Sequence, residues 1–139
     1  MKDTVLETER LYIRQWRPTD LEPLVKINQD VTVMAFFPSV KSREDTEKFI
    51  NANIKIYNKR GYCLYPIELK ETNEFLGWVG LNYVEFDAPF APAVEIGWRL
   101  ASRFWGNGYA TEAALAIRDH AINNLGIEEL VSFTVPTTR

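Results

Sequence analysis

The sequence predicts an α+β fold, layered α/β/α, in which helices cover a mixed, mostly antiparallel central sheet. Three observations carry that prediction. The strand-favouring runs Tyr62 to Leu69 and Phe75 to Tyr83 are separated by Lys70-Glu71-Thr72-Asn73-Glu74, a polar stretch of hairpin length, so they pair antiparallel. Further on, the strand-like segments Ala93 to Leu100 and Leu130 to Val135 bracket one helical segment, Tyr109 to Asn124, and strands joined through a helix form a parallel βαβ crossover. Finally, 139 residues that are 46% hydrophobic and 13% aromatic suffice for one core, and residues 1–139 read as a single domain without repeats or linkers.

The elements follow in chain order. Leu11 to Trp16 alternates weakly and is rich in strand formers, and Pro18, Thr19 and Asp20 then punctuate the chain before a short helix, Leu21 to Asn28, whose apolar positions are Leu21, Leu24, Val25 and Ile27. The stretch to Pro38 is apolar without a period, as a pocket lining is. Ser42 with Asp45 three residues later is a capping-box pattern, and Thr46, Phe49, Ile50, Asn53 and Tyr57 share the face of a helix from Arg43 to about Lys59 that Gly61 stops. Prolines mark Asp87 to Pro92 as a loop. In the next strand Val94, Ile96, Trp98 and Leu100 lie on one face and Glu95, Gly97 and Arg99 on the other. Ala110, Ala113, Ala114, Ile117, Ala121 and Leu125 then form a helical stripe, which Gly126 ends.

A formal charge of −3 argues against electrostatic attraction to nucleic acid or an anionic membrane, and mildly favours cationic partners. Cys63 is the only cysteine, which excludes an internal disulfide and a cysteine-based zinc site; no metal site is expected. The first ten residues are charged, and no run approaches the roughly 18 apolar residues of a membrane span, so a cytoplasmic protein is expected.

The segment Arg103-Phe104-Trp105-Gly106-Asn107-Gly108-Tyr109-Ala110 joins the strand to the helix that follows. Gly106 and Gly108 remove two Cβ atoms where the backbone must turn sharply, so successive N–H groups can converge on an anion at the helix N-terminus, as in a pyrophosphate cradle. No Lys-Ser/Thr pair follows the glycines, which sets it apart from a nucleotide-binding P-loop.

Glu95-Ile96-Gly97-Trp98-Arg99-Leu100 leading into Arg103-x-x-Gly106-x-Gly108-Tyr109-Ala110-Thr111-Glu112-Ala113 resembles the GCN5-related N-acetyltransferases (GNAT) and their acyl-CoA motif, Gln/Arg-x-x-Gly-x-Gly/Ala. With Thr8-Glu9-Arg10-Leu11 and Ile13-Arg14, it looks like the branch that includes the ribosomal-protein alanine acetyltransferases. The resemblance runs from about Leu6 to Pro136. It implies a GNAT-like fold and transfer of an acetyl group from acetyl-CoA to a primary amine, either a protein N-terminus or a small molecule. The loop Arg103, Phe104, Trp105, Gly106, Asn107, Gly108 and the first helical turn, Tyr109, Ala110, Thr111, are then the binders of the coenzyme A pyrophosphate, largely through backbone amides. Backbone groups of Trp98, Arg99 and Leu100 flank the pantetheine arm where the strand splays from its neighbour.

An ammonium must lose a proton before it can attack a thioester, and Glu95, on the strand that leads into the cradle, is the candidate base; an ordinary polar strand residue is the alternative. His120 reads as a plain helix residue, Cys63 as a small core residue, and Phe36, Phe37, Phe86 and Phe90 as packing residues that border the acceptor cleft in relatives. The resemblance also implies a segment beyond the last strand, and this sequence stops at Arg139, which leaves open a truncation, completion by a partner subunit such as a homodimer, or a reduced domain. An acyl-CoA-binding module without turnover stands as the alternative function.

Overall fold

A single sheet organises the residues that the computed structural model describes, which are 3–35, 37, 39–84, 93–127 and 130–132. Its strands lie side by side in chain order: β1 (Thr4–Glu7), β2 (Leu11–Arg14), β3 (Leu64–Leu69), β4 (Phe75–Val84), β5 (Ala93–Leu100) and β6 (Leu130–Ser132). Neighbours are antiparallel from β1 to β5, whereas β6 runs parallel to β5, pairing Val94 with Leu130 and Ile96 with Ser132. The expected hairpin and the expected crossover are both present. Three α-helices complete the architecture: α1 (Leu21–Asn28), α2 (Arg43–Arg60) and α3 (Tyr109–Asn123).

Local chemistry sets the helix ends. Ser42 Oγ accepts the Asp45 N–H at 3.1 Å and Asp45 accepts the Ser42 N–H at 3.2 Å, which is the reciprocal capping box that the spacing predicts. Gly61, left-handed at φ 81, closes α2 by donating to the Tyr57 carbonyl at 2.8 Å. A 3-10 turn, Pro18–Asp20, leads into α1, and a second, Ser102–Phe104, follows β5.

Side-chain alternation divides the core between the faces of the sheet. Leu11, Ile13, Tyr65, Ile67, Val79, Leu81, Val94, Ile96 and Leu100 pack with Ala113, Ile117 and Ala121 of α3, whose small residues let the helix approach closely. On the opposite face Leu64 and Trp78 meet Leu24 and Ile27 of α1, Ile50 of α2, and Val33 and Met34 of the connection between them.

The strands differ from the sequence reading at their ends. β1 escapes the pattern because its residues, three half-buried and then the exposed Glu7, carry no alternation; its existence depends on pairing with β2. The first predicted strand stops at Arg14, whose buried side chain is captured by Asp20, and β3 begins at Leu64, not Tyr62. The predicted strand positions 133–135 and the predicted loop 87–92 lie outside the described residues.

Candidate functional site

The loop from β5 to α3 has the backbone that the glycines foretell. Gly106 and Gly108 are both left-handed, at φ 81 and φ 80, a region that costs other L-residues about 1–2 kcal/mol. A Cβ on Gly106 would meet no atom within 4 Å, so this glycine serves conformation and an open approach, not protein packing. Gly108 is the N-cap of α3 and supplies no side-chain cap, in contrast to the self-capped α2. By helix geometry the N–H groups of Tyr109, Ala110 and Thr111 have no intrahelical acceptor. Among the described residues those of Gly106, Asn107 and Gly108 have none either. The result is an outward row of donors at the positive end of a 15-residue helix dipole, suited to an anion.

Side chains shape this loop from behind. The Asn107 amide donates to the Phe104 carbonyl at 3.1 Å, and the Trp105 indole donates to the Leu100 carbonyl at 3.0 Å, tying the loop to the end of β5. Phe104 is buried with its ring edge-on to Tyr109, and Ala110 is buried under the first turn. Arg103 points elsewhere: its guanidinium pairs with Glu74 at 2.7 Å on the exposed hairpin turn, so its side chain takes no part in the donor row.

A clamp that sequence reasoning missed holds α3 against the N-terminal strands. Glu112 accepts from Arg10 Nε at 2.6 Å, from the Arg10 backbone N–H at 3.0 Å and from the Thr8 hydroxyl. Arg10 also covers the Tyr109 ring at 4.4 Å and donates to the Asn107 carbonyl at 3.0 Å. Burial opposes the Glu112 charge, but the Thr8 and Arg10 donors prevail and hold its carboxyl below the usual range. The stabilisation is therefore complete above the ordinary carboxylate pKa and is lost as pH falls through the lowered folded value. Thr8, Arg10 and Glu112 stand in the two quoted motifs, but their contact spans 102 positions and more, and only folding reveals it.

On β5, Glu95 and Arg99 face α1 and α2, as alternation predicts. Glu95 is half-buried opposite Asn82, whose amide donates to it at 3.3 Å. Arg99 lies opposite Trp78 and donates to Asn28 at 2.8 Å. Trp98 and Leu100 point to the α3 side, the Trp98 indole N–H being buried without a partner among the described residues. The described pairing of β5 with β6 covers Val94 to Ile96; the positions after Ser132, which would face Trp98 to Leu100 where the strands were expected to splay, fall outside the described residues.

Other candidates settle simply. His120 is half-buried in α3 beside Asn124, and burial lowers its pKa. Phe37 packs over Arg99, while Phe36, Phe86 and Phe90 are outside the described residues. Cys63 is 2% exposed, and burial pushes its thiol up to about 12. It is expected to stay silent toward a disulfide thiol reagent in the native state and to react stoichiometrically after denaturation; rapid native labelling would contradict its place in the core. Among the described residues no group of three or more His, Cys, Asp and Glu could hold a metal, and no helix is long and apolar enough to cross a membrane.

Residues 10–137 match the family model of the acetyltransferase (GNAT) domain. The uncharacterized protein YkkB of Bacillus subtilis is 33% identical over 136 residues, covering 96% of this chain and 77% of the relative. The uncharacterized N-acetyltransferase YoaA of the same organism is 26% identical, covering 91% and 71%. Among solved structures, an acetyltransferase from Agrobacterium tumefaciens superposes with a TM-score of 0.76 at 30% identity, over 96% of this chain and 75% of that one. RimL, a ribosomal-protein alpha-N-acetyltransferase solved with coenzyme A, superposes with a TM-score of 0.73 at 24% identity, over 94% and 73%, which shows likeness of fold.

Proposed function

The chain belongs to the GNAT acetyltransferase family, and we propose that it transfers an acetyl group from acetyl-CoA to a primary amine by direct attack with general-base assistance. The observation that carries this reading is the uncapped start of α3, entered through two left-handed glycines. Its donor row fits a pyrophosphate: the N–H groups from Gly106 to Thr111 are free to point at phosphate oxygens, and the open space at Gly106 admits them. Phe104, Trp105 and Asn107 hold that backbone in place, and backbone groups of Trp98, Arg99 and Leu100 are the proposed neighbours of the pantetheine arm. When bound, acetyl-CoA supplies an activated thioester. A backbone N–H of β5 aimed at its carbonyl oxygen would stabilise the charge that develops there.

Glu95 is the proposed base. It shares β5 with the pantetheine-flanking residues, is half-buried, and is oriented by Asn82 rather than neutralised by an ion pair among the described residues. A carboxylate in that position can take a proton from the acceptor ammonium, directly or through one water.

Coenzyme A binding and amine-dependent thiol release test the two halves separately. Glu95→Gln is expected to leave coenzyme A affinity unchanged and to lower kcat by about 10²- to 10⁴-fold, with loss of the acidic limb that protonation of a catalytic carboxylate imposes. Unchanged kcat and pH profile would remove Glu95 from the mechanism. Coenzyme A binding without thiol release from any amine would favour an acyl-CoA-binding module over an enzyme.

A further inference from the structure

On the face of β5 that carries Glu95, Arg99 is a cation without a counter-charge among the described residues. Arg99 projects toward α1 and α2, with its guanidinium 5.3 Å from the Trp78 ring centroid and 5.0 Å from that of Phe37. It donates through Nη1 to Asn28 Oδ1 at 2.8 Å. Asn28 is fixed in turn: it is 3% exposed, donates to Thr46 Oγ1 at 3.0 Å, and accepts the Lys41 backbone N–H on its own carbonyl at 3.0 Å. A guanidinium has five N–H donors, and this one uses a single donor on a neutral amide. Among the described residues no carboxylate lies within 4.0 Å of it. Arg14, which is buried whereas Arg99 is half-buried, is paired with both Asp20 and Glu68.

Next to Arg99 is a cavity of about 470 Å³ lined by Asn28, Lys41, Asp45, Lys48, Phe49, Trp78 and Arg99. Lys41 and Lys48 are exposed at its rim and form no ion pair among the described residues. The Asp45 carboxylate is already engaged by the Ser42 N–H in the α2 capping box. The lining thus carries three cationic side chains against one committed carboxylate. Burial without compensation lowers the Arg99 pKa to about 10, which leaves it charged at neutral pH and short of an anion.

We propose that this cavity binds the carboxylate of the acceptor, so that the substrate class is an amine carrying a carboxylate several bonds away, such as a short peptide with a free C-terminus or an ω-amino acid. The planar fork of Arg99 receives the carboxylate, Lys41 and Lys48 attract it at the rim, and Phe49 and Trp78 flank the connecting chain. This deepens the acetyltransferase reading and depends on it for the position of the amine beside Glu95. Glu95 and Arg99 are four residues apart on one strand face, about 13 Å along β5. That span disfavours α-amino acids, whose two groups are adjacent, and suits a chain of about four residues at about 3.3–3.6 Å each.

Two matched pairs, tetraalanine against its C-terminal amide and 10-aminodecanoate against decylamine, test the assignment in two ways. In calorimetry on the coenzyme A complex each acid is expected to bind at least about tenfold tighter than its carboxylate-free partner, about 1.4 kcal/mol. The preference should vanish in Arg99→Met and weaken in Lys48→Met, an exposed change that leaves the fold intact. With acetyl-CoA the same order should appear in kcat/KM for thiol release. Equal affinity within both pairs, or binding of none of the four, overturns the carboxylate site. Selective binding of the acids without thiol release would instead uphold the site and defeat the acetyltransferase reading.

Discussion

Replacing Arg14 with alanine is expected to destabilise the protein by about 3–5 kcal/mol, measured as a lowered urea midpoint at unchanged slope. The side chain is 3% exposed and holds two buried carboxylates: Asp20 through both oxygens at 2.8 and 2.9 Å, and Glu68 at 3.0 Å. Burial disfavours its charge, yet the bonds from Asp20 and Glu68 outweigh that cost and raise its pKa. Without Arg14 one cation fewer faces those carboxylates, and Arg17 reaches Glu68 only at 3.3 Å from a partly exposed position. The expected signature is recovery: adding Asp20→Asn and Glu68→Gln to Arg14→Met should restore part of the loss, because the cost lies in unpaired charge and not in missing volume. A loss under about 1 kcal/mol for Arg14→Ala would mean that this triad contributes no more than an exposed pair. The damage should also reach the candidate site. Asp20 anchors the start of α1, and the far end of α1 presents Asn28 to Arg99, so loss of acid preference should accompany loss of stability.

Legibility in the sequence followed range. Local signals were sufficient where one short segment decides its own conformation: the Ser42 and Asp45 capping box, the Gly61 stop, the alanine stripe of α3 and the two glycines of the cradle all form as their spacing dictates. The faces of β5 were equally plain, since period-two alternation left Val94, Ile96 and Leu100 for the core and Arg99 for the opposite side. Partners distant in sequence gave no such signal. Nothing in Thr8-Glu9-Arg10 announces Glu112, and nothing in Arg14 distinguishes a solvent-facing strand residue from the centre of a buried network with Glu68, 54 positions away. Asn28 entered the sequence reading only as the last residue of a short helix, and in the fold it is buried and accepts from Arg99. The cavity proposed to take the acceptor was the least legible part because it is assembled from α1, α2, β4 and β5 together.

Gly77→Ala is expected to be among the most damaging single methyl additions, with a stability loss beyond the usual 1–3 kcal/mol or so of overpacking. Gly77 sits at φ 148, beside the bulge that shifts the β3–β4 register between Ile67 and Glu68, and this bulge places Leu76 on the same face as Val79 and Leu81. A Cβ there would lie 2.0 Å from the Arg99 carbonyl oxygen and 2.9 Å from the Leu100 Cα. Both atoms belong to backbone, so no rotamer change relieves the clash and β5 itself must move. The segment displaced is the one proposed to flank the pantetheine arm, and weaker coenzyme A binding should therefore accompany the lower unfolding midpoint. Gly97→Ala is the control on the adjacent strand: its Cβ would meet only a Trp78 ring carbon at 3.5 Å and a Leu64 methyl at 4.0 Å, ordinary contacts that predict a change within about 1 kcal/mol. If the two variants lose equal stability, helix-and-sheet packing around β5 is loose enough to absorb a methyl anywhere, and the close β4–β5 approach cannot be what positions the cofactor edge. If Gly77→Ala alone loses both stability and coenzyme A affinity, a glycine that never touches the ligand fixes the strand that does.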